Sequence, residues 1–168
     1  SVTAQTQVIA HRGFHATKNS YDNTISSLQH AQELGVYGSE VDINETSDGK
    51  LIAIHGARHR DIKNVQAATF DEIRALPLTN GEIVPTLDEY LEQGKKSKVT
   101  KLIIEVKSHP TPERETRVVK NILEAVKKHK MRKKVEYIAF SKHVCDELVK
   151  YAPKGTQIAY LNGELPIV

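Results

Sequence analysis

Seven residues of this chain have the types and the spacing to do chemistry together. His11 and Arg12 stand just before Gly13, at the end of the apolar run Val8-Ile9-Ala10. Glu40 and Asp42 alternate with apolar residues in Ser39-Glu40-Val41-Asp42-Ile43-Asn44. His55 follows Leu51-Ile52-Ala53-Ile54, and Glu105 and Lys107 close Leu102-Ile103-Ile104-Glu105-Val106-Lys107. Three carboxylates from two strands make a hard oxygen site of the kind that Ca²⁺ or Mg²⁺ takes. No Cys–His cluster favours zinc. His11 and His55 are suited to general acid–base work, because imidazole titrates near neutral pH. Arg12 and Lys107 suit a phosphate, the guanidinium as a bidentate donor and the ammonium as a point charge. A metal ion and two such cations would stabilise charge developing on a phosphoryl oxygen. The chemistry these residues point to is metal-assisted phosphoester cleavage without a nucleophilic side chain.

Each group also has a plainer reading. His11 and Arg12 could be a satisfied structural pair. Glu40 and Asp42 could meet surface lysines on an exposed strand face, and Glu105 and Lys107 could pair with their neighbours. His55 could be a core or turn histidine. The joint arrangement, with all seven at strand ends, favours the functional reading.

Strands and helices must place these residues at one face. Short apolar runs bounded by turn formers read as buried strands, here over 7–11, 51–54, 101–107, 135–140 and 157–161. Alternation over 37–44 puts Glu40, Asp42 and Asn44 on one face and Val41 and Ile43 on the other. A helix is expected over 22–34, with Gly35 as its C-terminal cap. Thr69 with Glu72, and Thr86 with Glu89, have capping-box spacing. Pro112 suits the first turn of a long helix, whose stripe is Val118, Val119, Ile122, Leu123 and Val126. Ser141 can cap a helix carrying Val144, Cys145 and Leu148. The link between 37–44 and 51–54 is too short for a helix, so the chain makes a hairpin or crosses back in extended form. About six strands alternating with helices argue for an α/β fold with a parallel sheet or barrel, whose functional face is the carboxyl ends of its strands. The linkers are short, so a single domain over 1–168 is expected.

The 168 residues suffice for one domain with a real core. The net charge of +3 is too small to argue for nucleic acid. No apolar run approaches 18 residues, so no membrane span is expected. The single cysteine, Cys145, excludes an internal disulfide. The small polar start, Ser1-Val2-Thr3-Ala4-Gln5, could be what remains near a cleavage point, a slight lean toward the periplasm or secretion that leaves the compartment open. Of the other histidines, His15 and His59 fall in loops that can support the site. His30, His129 and His143 sit in helices and are expected in solvent, and His109, after the fourth strand, stays open.

In order along the chain, His11-Arg12-Gly13, Asp22-Asn23-Thr24, Glu40-Val41-Asp42, Thr46-Ser47-Asp48-Gly49, Ile54-His55, Pro85-Thr86-Leu87 and Glu105-Val106-Lys107 resemble the glycerophosphodiester phosphodiesterase family. Each of these motifs is weak alone. Seven in the right order are specific. The resemblance implies a TIM-type (β/α) barrel and hydrolysis of glycerophosphodiesters, as small-molecule substrates, to glycerol 3-phosphate and an alcohol. It implies His11 and His55 as the acid–base pair and Glu40, Asp42 and Glu105 as ligands of Ca²⁺ or Mg²⁺, with Arg12 and Lys107 on the phosphate. The glycerol hydroxyl next to the phosphate would attack phosphorus, and water would open the resulting cyclic phosphate.

Three departures stand out. Asp22 replaces the family's usual Glu, and Gly56 replaces the usual Asp after the second histidine. A closed eight-stranded barrel takes roughly 250 residues, so the barrel is expected to be incomplete, with about six of eight strands. Competing readings are a catalytically impaired relative that binds a phosphodiester or a metal, motivated by Gly56 and by the expected incompleteness of the barrel, and a phospholipase-type phosphodiesterase, which would need long apolar loops. The basic run Lys127-Lys128-His129-Lys130-Met131-Arg132-Lys133-Lys134 could suggest nucleic acid or an anionic membrane, but it stands at a helix end, where cations complement the dipole.

Overall fold

The runs Gly38–Glu45 (β2) and Lys101–Val106 (β4) pair in parallel from Gly38↔Lys101 to Ile43↔Val106, and the other elements assemble around that ladder. A computed structural model describes residues 23–161 and the backbone of 9–10. Ile9–Ala10 (β1) flanks β2 in parallel. On the far side follow Val135–Ala139 (β5) and Ile158–Tyr160 (β6), also parallel. The sheet order is β1-β2-β4-β5-β6, open at both ends among the described residues. The short link after β2 is a hairpin: Leu51–Ala53 (β3) pairs antiparallel with β2, from Ile43↔Ala53 to Glu45↔Leu51.

Local sequence starts and stops the helices. Thr24 caps Ile25–Leu34 (α1) and accepts from the Ser27 N–H, and Gly35 ends it with φ at 66°, a left-handed conformation that glycine adopts at no steric cost. Both expected capping boxes form. Thr69 with Glu72 starts Phe70–Arg74 (α2), and Thr86 with Glu89 starts Leu87–Gly94 (α3). Pro112 opens Pro112–Lys128 (α4), behind the cap Thr111. Ser141 caps Lys142–Tyr151 (α5).

Strand alternation then decides which side chains meet which layer. Val41, Ile43, Leu102, Ile104, Val106, Tyr137 and Ala139 face one way and bury against Leu28 of α1, Leu91 of α3, Val118 and Ile122 of α4 and Leu148 of α5. Burying each such aliphatic side chain is worth roughly 1.5–3 kcal/mol. A smaller core, Ile52, Val65, Ala68, Ile73 and Val84, lies under the excursion between β3 and α3. Glu40, Asp42 and Glu105 are left on the opposite face of the sheet.

Candidate active site

The register of β2 on β4 sets the site. Asp42 stands directly opposite Glu105 in the ladder, and Glu40 lies two residues earlier on the same face. Ligand oxygens of the three carboxylates fall within 4.8 Å of one another. Like charges this close repel unless cations answer them. Lys107 does so, with Nζ 2.7 Å from Glu105 Oε2 and 3.6 Å from Asp42 Oδ1. The expectation that Glu105 pairs with its neighbour is therefore met inside the cluster, whereas the surface-lysine reading of Asp42 fails, since Asp42 is fully buried.

The hairpin brings His55 to the same carboxylate. The Ile54 N–H donates to the Asp42 carbonyl at 3.0 Å, and the Asn44 side-chain amide donates to the Ile54 carbonyl at 2.9 Å. Held in this way, His55 places Nδ1 3.3 Å from Asp42 Oδ2, with its side chain 46% exposed. Gly56 carries no carboxylate to direct that ring, and Asp42 takes the part.

Asn23 also meets Asp42. Its Nδ2 donates to Asp42 Oδ2 at 3.0 Å, and its Oδ1 accepts from the Asp42 N–H at 2.9 Å. The residue has φ at 59°, a left-handed conformation that asparagine tolerates better than most residues. In the sequence Asn23 stands out only as part of the Asp22-Asn23-Thr24 element; its one local sign is that tolerance. His11, Arg12, His15 and Asp22 lie outside the described residues.

Beyond the carboxylates, the strand tips are locked to α4. Arg114 donates to Glu45 Oε1 at 2.9 Å and to the carbonyls of Glu45 and Gln66 at 2.9 and 2.8 Å. Arg117 adds a 2.7 Å bond to Glu45 Oε1. Burial alone would push the Glu45 carboxyl up, but the hydrogen bonds of Arg117 and Arg114 outweigh it and hold it below the ordinary range. Gln66 reaches across from the excursion, donating to Asn44 Oδ1 at 2.7 Å and to the Ser108 carbonyl at 2.9 Å. His109, left open by the sequence, sits between the tips of β2 and β4. His59 supports a loop, 2.6 Å from the Leu76 carbonyl.

A cavity of about 600 Å³ opens over the cluster, lined among others by His55, Lys63, Gln66, Glu105, Lys107 and Phe140. Phe140, 52% exposed just after β5, gives it an apolar wall that no local sequence signal marks. The arrangement can hold a hard divalent cation on oxygen ligands, face an anion with Lys107, and present an accessible imidazole beside both.

The family profile described as "Glycerophosphoryl diester phosphodiesterase family" matches residues 11–165. The glycerophosphodiester phosphodiesterase of Caldanaerobacter subterraneus subsp. tengcongensis is 33% identical over 165 residues, covering 89% of this chain and 64% of that protein. The crystal structure of a glycerophosphodiester phosphodiesterase from Parabacteroides distasonis superposes with a TM-score of 0.89 at 43% identity, covering 95% of this chain and 66% of that one. The corresponding enzyme structure from Thermotoga maritima gives 0.69 at 27% identity, covering 94% and 63%. This chain thus spans about two thirds of the length of each. The match runs from residue 11 to beyond β6 and takes in the strand ends described above, so the chain belongs to the glycerophosphoryl diester phosphodiesterase family and has its TIM-barrel type of α/β fold.

Proposed function

We propose that the chain hydrolyses glycerophosphodiesters to glycerol 3-phosphate and an alcohol. The observation that carries this reading is the three-carboxylate cluster with Lys107 and His55 against it, at the mouth of one cavity. Glu40, Asp42 and Glu105 fit a divalent cation: they are all oxygen donors, close enough to share one ion, as Ca²⁺ and Mg²⁺ require. Such an ion, when bound, supplies positive charge beside the phosphoryl oxygens.

The chain's own residues do the rest. Lys107 and Arg12 bind the phosphate. One histidine of the pair His11 and His55 takes the proton from the glycerol hydroxyl next to the phosphate as that hydroxyl attacks phosphorus, and the other protonates the departing alcohol. The roles reverse when water opens the cyclic phosphate. Asp42 orients the His55 ring through Nδ1. The attacking group belongs to the substrate, so no protein nucleophile is needed. Glu40→Ala is expected to abolish both turnover and divalent-ion binding, whereas His11→Ala abolishes turnover and leaves ion binding largely intact; isothermal calorimetry with Ca²⁺ and Mg²⁺ beside the assay reads both. Wild-type ion affinity in Glu40→Ala would overturn the metal assignment. Gly56, in place of the family's Asp, favours a second reading, a relative that binds phosphodiesters without cleaving them. Bound glycerophosphocholine recovered intact would mark that case.

A further inference from the structure

The last backbone bond of the β2–β4 ladder runs from the Lys107 N–H to the Ile43 carbonyl, at 3.1 Å. Past it the tips would separate, and the His109 ring fills the gap. Its Nε2 accepts from the Glu45 N–H at 3.0 Å, and its Nδ1 lies 2.7 Å from the Lys107 carbonyl. A ring that accepts at Nε2 and meets a carbonyl at Nδ1 satisfies both contacts only as the neutral Nδ1–H tautomer. The backbone of the same residue is held from a third side. The His109 N–H donates to Glu115 Oε2 at 2.9 Å, and Ser141 Oγ donates to Glu115 Oε1 at 3.0 Å.

We infer that His109 is a positioning residue, a neutral imidazole that replaces the next rung of the ladder and fixes Lys107 relative to the carboxylates of β2. The inference rests on the reading of Lys107 as the phosphate ligand. Both ring nitrogens are engaged by backbone groups, so His109 acts through Lys107 rather than on substrate. The charges facing the ring are Arg114 and Glu115 of α4 and Glu45 of β2. Burial and Arg114 push the ring's pKa down while the Lys107 carbonyl and the two carboxylates push it up, and the net direction is down, so the ring stays neutral at neutral pH.

The test is a double-mutant cycle on affinity for sn-glycerol 3-phosphate, measured by calorimetry, together with kcat and KM for glycerophosphocholine. His109→Ala is expected to weaken binding and kcat/KM about 10–100-fold, the usual cost of losing an outer partner of a site residue. That loss should largely vanish in a Lys107→Ala background. His109→Asn, whose amide reaches the place of Nδ1 and can still donate to the Lys107 carbonyl, should retain more activity than His109→Gln, whose longer amide reaches the place of Nε2 and leaves that carbonyl without its donor; equal activity of the two would overturn the inference. These two variants carry the test where the alanine variant fails to fold. Equal losses in both backgrounds, or no loss, would overturn the inference. If the wild-type chain neither binds nor turns over, the functional reading fails, and the clamp is then judged on the ring itself. Long-range ¹H–¹⁵N spectra at pH 7 should show the Nδ1–H tautomer, and an Nε2–H ring or an imidazolium would overturn it.

Discussion

Asp42 is the residue with the most at stake. It is fully buried, and a buried carboxylate is tolerable only with charge and hydrogen-bond partners. Asn23, Lys107 and His55 all converge on it. Asp42→Asn keeps the volume and removes the charge, so it is expected to lose divalent-ion binding in calorimetry while the fold survives by circular dichroism. His55→Ala is expected to lower kcat by about 10²–10⁴-fold, the range for a lost general acid or base. A smaller effect, below tenfold, would place the ring outside the proton path. At this scale the sequence made Glu40, Asp42, Glu105 and Lys107 legible, because strand alternation alone assigns them one face. The roles of Asn23, His109 and Gln66 were not legible. Asn23 reaches Asp42 from 19 residues away through a left-handed backbone, and His109 and Gln66 act on backbone groups that only the folded chain brings near.

At the scale of elements, β2 is pinned to α4 through Glu45, Arg114 and Arg117. The folded Glu45 carboxyl lies below its ordinary value of 4.5. A depressed acid stabilises the fold above that value, and the contribution is lost as pH falls through the folded pKa. Denaturant midpoints should therefore decline below about pH 4.5. Glu45→Gln should flatten part of that decline and lower stability at pH 7. An unchanged acid limb in the variant would remove Glu45 from the account. Thr86→Ala, which opens the capping box of α3, should cost about 1 kcal/mol in urea unfolding. Capping boxes were readable because their partners are three residues apart. The choice between hairpin and crossover after β2 was open, since strand pairing is non-local, and the structure resolves it as a hairpin. His129, expected in solvent from its place in a helix, instead bridges Asp88 and Glu92 of α3 at 2.7 and 2.8 Å, its side chain only 11% exposed. The packing of α3 beside α4 decides that, and helical periodicity does not encode it.

Over the whole molecule, one layer of helices covers one sheet face, and the polar cluster occupies the other. Ile104, fully buried in the central strand, is the test of that layer. Ile104→Ala should cost about 2–5 kcal/mol in urea unfolding, and a cost below 1 kcal/mol would contradict the core assignment. Part of the basic run at the end of α4 serves the fold. Met131 is buried and Lys134 donates to the carbonyls of Gly94 and Ser97. No helix among the described residues is long and apolar enough to cross a membrane. The β/α order and the family were legible because seven short signatures keep their sequence order. The shape of the cavity was not, because its walls come from Lys63, Gln66 and Phe140, which are distant in the chain. In the function proposed above, this cleft cleaves glycerophosphodiesters with a divalent ion held by Glu40, Asp42 and Glu105. Release of glycerol 3-phosphate from glycerophosphocholine, followed with Ca²⁺ or Mg²⁺ and again with a chelator, tests it most directly. Release is expected to stop on chelation and to return with the ion; a folded protein that releases none with either ion, or releases equally in chelator, would overturn the proposed function.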